Sequence, residues 1–209
     1  MMARALEIIG ERWSLLVVRD LNLGPRRFTD LMRSLADITP TRLTDRLRQL
    51  EATGLVTREP PDRGREVWYR LTDAGSDLAP VLEALTLWGM NHALEPPQAH
   101  EPVHPTPLMI GTKVFLGEHA GRLARPARWV WRFTPDDAYT IRFENGAWTL
   151  AHGGTDAADL VIETTPEAWA SFLTARGART LPRKEIALTG NAAAIKLFAR
   201  SFAAELRGK

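Results

Sequence analysis

The chain has 209 residues, of which 44% are hydrophobic and 25% charged, and its formal net charge is +2. This length suits one large or two small domains, and the charge balance by itself gives no argument for a nucleic-acid partner. The sequence contains no cysteine, which excludes disulfides, thiolate metal sites and cysteine redox chemistry.

The first 35 residues predict three helices. Residues 3–9 and 12–23 form the first two, and the second is nearly all apolar until Gly24 and Pro25 end it. A short amphipathic helix follows, with Phe28 and Leu31 on its apolar face, and we place its N-terminal cap at Thr29.

The next helix has clear ends in the stretch TPTRLTDRLRQLEATGLV. Thr39 can cap its first amides, Pro40 suits the first helical position, and Gly54 supplies a left-handed stop. A narrow apolar stripe recurs at helical spacing between these signals, formed by Leu43, Leu47 and Leu50. The other side of the helix is polar throughout.

A two-stranded hairpin is predicted in residues 56–71. Its turn carries Arg63 and Arg65 on either side of Gly64. An isolated hairpin is marginal in water, so this one must pack against the preceding helices. Helix, short connection, helix and hairpin is the order of a winged helix-turn-helix, which predicts DNA binding.

The predicted DNA contacts form two groups. The first lies on the second helix of the motif and enters the major groove: Thr41, Arg42, Thr44, Asp45 and Arg48, with Thr39 at the start of the helix as a further DNA contact. In the second, Arg63 and Arg65 hold phosphates or reach the minor groove, and Arg26 and Arg27 contact the DNA backbone. For the helix considered alone, a solvated outer face is the ordinary interpretation of the same polar residues.

A long helix is predicted at residues 73–94, with Pro80 bending it or marking its effective start. Its apolar residues exceed what a small winged domain can cover, which indicates a partner helix, either from a second subunit or from the other half of the chain. We expect a homodimer on a palindromic operator, because one recognition helix reads few base pairs.

These residues carry a family resemblance. The stretch from ARALEIIGERW to LVTRE, followed by VWYRLTDAG and VLEALTLWG, resembles the HxlR-type winged helix-turn-helix regulators, relatives of the MarR group, over about residues 3–90. The resemblance implies a dimeric bacterial transcription factor with dimer contacts from the first and last helices of this half. Many members carry a sensing cysteine near the start, where this chain has Met1 and Met2.

Residues 96–107 are rich in proline and predict a linker. It separates a domain for DNA binding and dimerisation, residues 1–95, from a second domain, residues 108–209. The second domain predicts a helix, alternating strands joined at Asn145 and Gly146, a helix from Pro166, a short strand and a final helix capped by Asn191. We expect two domains: a mainly α winged helix-turn-helix and an α+β domain with an antiparallel-rich sheet covered by helices.

The order of the second half, from the Asn-Gly hairpin through DLVIET and TPEAWASFL to IALTGNAAAIKLFARSF, resembles the sterol carrier protein type two-like domains. That resemblance implies an apolar tunnel for a lipid-like molecule. Our candidates for ligand contacts are Trp129, Trp131, Phe143, Trp148, Trp169, Phe172, Phe198 and Phe202. Whether these rings line a void or fill a core stays open, since an aromatic stripe serves either purpose.

We find no catalytic constellation, no metal-ligand spacing among the five histidines and no sign of a cofactor. The prediction is a cytoplasmic transcriptional regulator and not an enzyme. We expect a repressor that responds to an apolar or aromatic small molecule. The alternative is a small-molecule carrier whose winged domain contacts other proteins, which the near-neutral first half favours.

Overall fold

The computed structural model describes residues 1–35, 37–59, 66–93, 95, 103–120, 123–134, 137–174 and 184–203. The chain divides into two compact units, residues 1–85 and residues 86–209. The division falls inside a helix, ten residues before the predicted end of the first domain. Of the predicted linker, only residues from Val103 onward are among those described.

The first unit contains helices and a small sheet. In chain order its elements are α1 Met2–Ile9, α2 Arg12–Leu21, β1 Arg26–Arg27, α3 Phe28–Ser34, α4 Pro40–Ala52, β2 Val56–Glu59, β3 Trp68–Leu71 and α5 Asp73–Ser76, followed by the start of α6 Ala79–His92. Two predicted details are wrong. Helix α2 ends at Leu21 instead of residue 23, and α3 is capped at Arg27 instead of Thr29, because the carboxylate of Asp30 accepts the Arg27 backbone N–H.

The apolar stripes of α2, α3 and α4 meet in one core, as their helical spacing predicts. Val17 and Val18 of α2 contact this core together with Leu31 of α3 and the stripe of α4. Each of these side chains is almost completely buried. Burial on this scale is the main force that holds the two helices of the motif in place.

The hairpin is part of a three-stranded antiparallel sheet with the order β1–β3–β2. Strand β3 pairs with β2 along its length and with the two-residue β1 on its other edge. Strand β1 was not predicted. Its residues immediately precede α3, so the sheet anchors the start of the helix-turn-helix to the hairpin.

The long helix predicted at 73–94 is two helices. A single turn, α5, is capped by Thr72, whose side-chain oxygen accepts the backbone N–H of Gly75. Helix α6 begins at Ala79, and Pro80 occupies its first turn. Of the two outcomes foreseen for Pro80, the structure shows the one in which it marks the start.

The second unit combines helices with a five-stranded sheet. Beyond the end of α6 it contains α7 Pro105–Phe115, which continues into a π-helical turn, then β4 Ala127–Thr134, β5 Asp137–Glu144, β6 Ala147–His152, β7 Leu160–Thr164, α8 Pro166–Thr174, β8 Ile186–Gly190 and α9 Ala192–Ala203. The strand order is β6–β5–β4–β7–β8. The β4–β7 pair is parallel and the other three are antiparallel. The sheet is therefore mixed, with the predicted antiparallel majority.

Local signals in this unit act as the sequence predicted. Asn145 and Gly146 both have positive φ, 52° and 80°, as a type I′ turn requires. The side-chain oxygen of Asn191 accepts the backbone N–H of Ala194 at 2.8 Å and caps α9. Among the helices described, none is long and apolar enough to cross a membrane.

Candidate nucleic-acid interface

Helix α4 presents the candidate reading face. The oxygen of the Thr39 side chain accepts the Arg42 backbone N–H at 3.3 Å, so the predicted cap is confirmed. At the other end Gly54 has a φ of 72°, and Leu55 donates its backbone N–H to Leu50 at 2.9 Å. With both ends fixed, the rotation of the helix is set by its buried leucines.

The polar side chains of α4 point away from those leucines and are mostly exposed. Thr41, Arg42, Asp45 and Arg48 are exposed, and within the described part of the chain Thr41 and Arg42 make no side-chain hydrogen bond or ion pair. Arg48 and Asp45 form only a loose ion pair of 3.9 Å between two highly exposed side chains. Such a pair contributes little stability and is free to exchange for a DNA contact.

Two polar residues of the same helix have internal partners. The Thr44 hydroxyl donates to the Pro40 carbonyl at 2.8 Å, so it can still accept a hydrogen bond but its proton is used. Arg46, which the sequence left unassigned, is largely buried and forms an ion pair of 3.2 Å with Glu11 before α2. It connects two helices of the core and is absent from the reading face.

Two arginines of β1 are predicted to contact the DNA backbone, and one of them, Arg27, forms ion pairs with carboxylates. Arg27 forms hydrogen bonds with Asp30 at 3.0 Å and with Glu66 at 2.8 Å, and its guanidinium lies over the ring of Trp68. The hydrogen bonds that Arg27 donates to Asp30 and Glu66 raise the pKa of Arg27 above its ordinary value, and the contact with Arg27 lowers the pKa of Asp30. Arg26 is half-buried, and its Nη2 has no hydrogen-bond partner in the part of the chain that is described.

The tip of the hairpin lies outside the described residues, and so do Arg63 and Arg65. The strands that carry the tip are described. Arg70 of β3 forms an ion pair of 2.8 Å with Glu59 of β2, which joins the two strands side chain to side chain.

The eight predicted ligand residues form one aromatic cluster in the second unit. Trp129, Trp131, Trp169 and Phe198 are fully buried, and Phe198 lies within 6.2 Å of the other three, centroid to centroid. Trp148 contacts Trp129, and Phe172 and Phe202 contact Trp169. Phe143 joins the cluster through Trp148. Packing of this kind is typical of a filled core.

The buried stripe and polar outer face of α4, the short helix before it and the hairpin after it define a winged helix-turn-helix, the architecture of a DNA-binding domain. Residues 8–96 match the family model of the HxlR-like helix-turn-helix. Two Bacillus subtilis HTH-type transcriptional regulators are similar over 92 residues. YtcD is 37% identical over 42% of this chain and 70% of its own length, and YkvN is 40% identical over 42% and 75%. The chain belongs to the HxlR-like helix-turn-helix family.

A third relative is an HTH-type transcriptional regulator of Mycobacterium tuberculosis, 44% identical over 44% of this chain. The match spans only 59% of that relative's length. A crystal structure of ytcD superposes with a TM-score of 0.42 at 34% identity, over 44% of this chain and 95% of the other. The three curated relatives are named HTH-type transcriptional regulators.

Proposed function

We propose that the protein is a ligand-responsive transcriptional repressor that binds a roughly palindromic operator as a homodimer in the bacterial cytoplasm. The observation that carries this proposal is the outer face of α4. Its Thr41, Arg42 and Arg48 are exposed, while the leucines on the opposite side of the helix are buried in the core. A rigid helix with free donors is what major-groove reading needs.

The roles on DNA follow from chemistry and position. Arg42 and Arg48 have forked guanidinium groups that suit the O6 and N7 atoms of guanine. Thr41, Thr44 and Asp45 contact neighbouring base edges, and Thr39 lies at the helix start, where phosphate is favoured. We assign backbone contacts to Arg26, Arg27, Arg63 and Arg65. For Arg27, this requires DNA to compete with its two carboxylate partners.

Residues 1–95 would form the DNA-binding and dimerisation domain. Helix α6 exposes Val81, Leu85 and Trp88, and α1 exposes Met2 and Leu6. Large apolar side chains at helical spacing, open to solvent, support a helix-to-helix interface. Two copies would place two reading helices on successive major grooves.

Residues 108–209 would form a sterol carrier-like effector domain. Its strand-rich half and its final strand, Asn191 cap and helix support that assignment. An effector acts on DNA binding only if it has different affinities for the two states of the dimer. The eight clustered aromatic residues remain candidates for its contacts.

The decisive experiment is a gel shift with the DNA upstream of the protein's own gene, compared with random DNA of equal length. We expect selective, salt-sensitive binding. Arg42→Ala and Arg48→Ala should each weaken operator binding by about 1 to 3 kcal/mol and relax sequence preference. Arg200→Ala, which removes an exposed arginine of α9, is the matched control and should change neither.

If both α4 variants bind operator and random DNA like the parent chain, the reading face is wrong. If no DNA is bound selectively, the alternative gains support: a small-molecule carrier whose winged domain contacts proteins. One observation favours this alternative: Arg27, Arg46 and Arg70 form ion pairs with carboxylates of the same chain. Their positive charges are therefore already neutralised and attract DNA less.

A further inference from the structure

The second unit contains a cavity of about 480 Å³ between three helices. Its lining comes from Gly89 and Met90 of α6, Leu108 and Gly111 of α7, and Leu173 of α8. None of the eight clustered aromatic residues lines it. The volume lies within the roughly 300 to 1,000 Å³ that small-molecule sites occupy.

Two helical glycines keep the cavity open. A Cβ atom added at Gly89 or at Gly111 would meet nothing within 4 Å, and neither residue has a positive φ. Neither glycine is therefore required by a turn or by close packing, although glycine inside a helix costs about 1 kcal/mol relative to alanine. A side chain at either position would occupy part of the cavity, so the two glycines keep that volume empty.

The polar groups around the cavity are few. His104 precedes α7 and lines the cavity, but its Nε2 atom is buried and contributes no accessible surface to the lining. Among the described residues of the lining, Glu95 carries a carboxylate, which disfavours an anion.

The start of α7 adds a further argument against an anion. Pro105 and Pro107 occupy the first and third positions of the helix and have no N–H to donate. Leu108 donates its N–H to the carbonyl of His104. A helix start with so few free amides is a poor site for a carboxylate or a phosphate.

We propose that this cavity binds an uncharged, predominantly apolar small molecule. The proposal deepens the proposed function by naming the effector site, and it rests on that function only for the effect of the ligand on DNA. Helix α6 supplies the connection, because it lines the cavity with Gly89 and packs Leu82 on the winged core.

The test uses two fluorescent probes with the same aromatic frame. N-Phenyl-1-naphthylamine is uncharged and has one N–H, and 8-anilino-1-naphthalenesulfonate adds a sulfonate. We expect saturable binding of the uncharged probe to the full chain and at least about tenfold weaker binding of the anion.

Gly111→Leu fills the cavity and should abolish binding of the uncharged probe. Gly117→Leu is the matched control, because Gly117 also has open space around an added Cβ but does not line the cavity. Circular dichroism and thermal unfolding show whether each variant folds, and Gly89→Leu replaces Gly111→Leu if the latter does not.

Equal binding by the filled and control variants would overturn the proposal, and so would stronger binding of the sulfonate or no binding of the uncharged probe. Gel shifts on the same samples separate the two proposals. A chain that binds the probe but no operator retains the cavity site and loses the regulatory function.

Discussion

At the scale of single residues, the first unit shows why its arginines are not interchangeable. Residues 1–95 contain 13 arginines and no lysine, against 14 acidic residues. Arg27 and Arg46 meet carboxylates inside the fold, and Arg42 and Arg48 face outward. The sequence spacing of Arg42 and Arg48 relative to the buried leucines of α4 distinguishes them from the ion-paired arginines, whereas amino-acid composition does not. The candidate reading face is therefore legible from the sequence, but the ion-paired arginines are not.

Asp30 should make the stability of the winged unit sensitive to acid. Its hydrogen bond from Arg27 lowers the pKa of Asp30 below the ordinary value. The stabilisation is therefore complete above the unfolded pKa, near 3.9, and is lost as the pH falls through the folded pKa. Asp30→Asn should lower the free energy of unfolding by about 1 kcal/mol at pH 7, the usual value of a helix cap.

Urea denaturation at pH 7 and pH 2.5 measures this difference, which should shrink at the lower pH. Asp45→Asn is the control, because that carboxylate is exposed and forms only a loose ion pair. An Asp30→Asn chain as stable as the parent at pH 7 would show that the contact contributes nothing.

At the scale of elements, Gly75 determines how closely α5 approaches the turn after α4. Gly75 is buried, and a Cβ atom there would overlap the carbonyl oxygen of Leu55, which already accepts the Thr72 N–H at 3.0 Å. This oxygen belongs to the backbone, which cannot move out of the way as the end of a flexible side chain can. Gly75→Ala should therefore destabilise the winged unit by about 1 to 3 kcal/mol.

Gly89→Ala provides the opposite case for the same substitution. Its added methyl meets open space in a helix, so it should be neutral or stabilising by up to about 1 kcal/mol. Thermal unfolding of both variants checks the pair. A Gly75→Ala chain that unfolds at the parent temperature would contradict the close packing of α5.

The elements that local chemistry determines are the ones the sequence predicts. The Thr39 cap, the Gly54 stop, the Asn145–Gly146 turn and the Asn191 cap each depend on residues a few positions apart. Strand β1 and the parallel β4–β7 pair depend on partners about 30 or more residues away, and no local pattern encodes that pairing. The predicted cap of α3 is wrong because the helix begins after Arg27, a residue type that does not favour the cap position, and the carboxylate of Asp30 accepts the Arg27 backbone N–H.

The cavity follows the same logic. In the sequence, Gly111 indicates only a residue that weakens a helix, because the pattern is the same whether the glycine faces solvent, a neighbouring residue or a cavity. Its role in lining the cavity is visible only in the structure, where α6, α7 and α8 surround it. The partnerless Nε2 of His104 likewise depends on burial that residue spacing does not show.

At the scale of the whole molecule, a row of exposed apolar side chains on α6 is the main apolar surface of the part of the chain that is described. Val81, Leu85 and Trp88 are 44%, 50% and 60% exposed. Their spacing of four and three residues places them on one side of the helix. Exposure of such a row to water is unfavourable in free energy, and pairing with the same surface of a second copy of the chain would bury it.

Leu85→Lys should therefore convert a dimer into a monomer, because it puts a charge at the centre of the proposed interface. Glu83→Lys, on the opposite side of α6, is the matched control and should remain dimeric. Sedimentation velocity at micromolar concentration measures the state of each chain. Operator binding should weaken for Leu85→Lys alone, because a monomer presents one reading helix to a two-fold site. A Leu85→Lys chain that sediments as a dimer would show that α6 does not hold the two copies together, and a parent chain that sediments as a monomer would remove the basis for a palindromic operator.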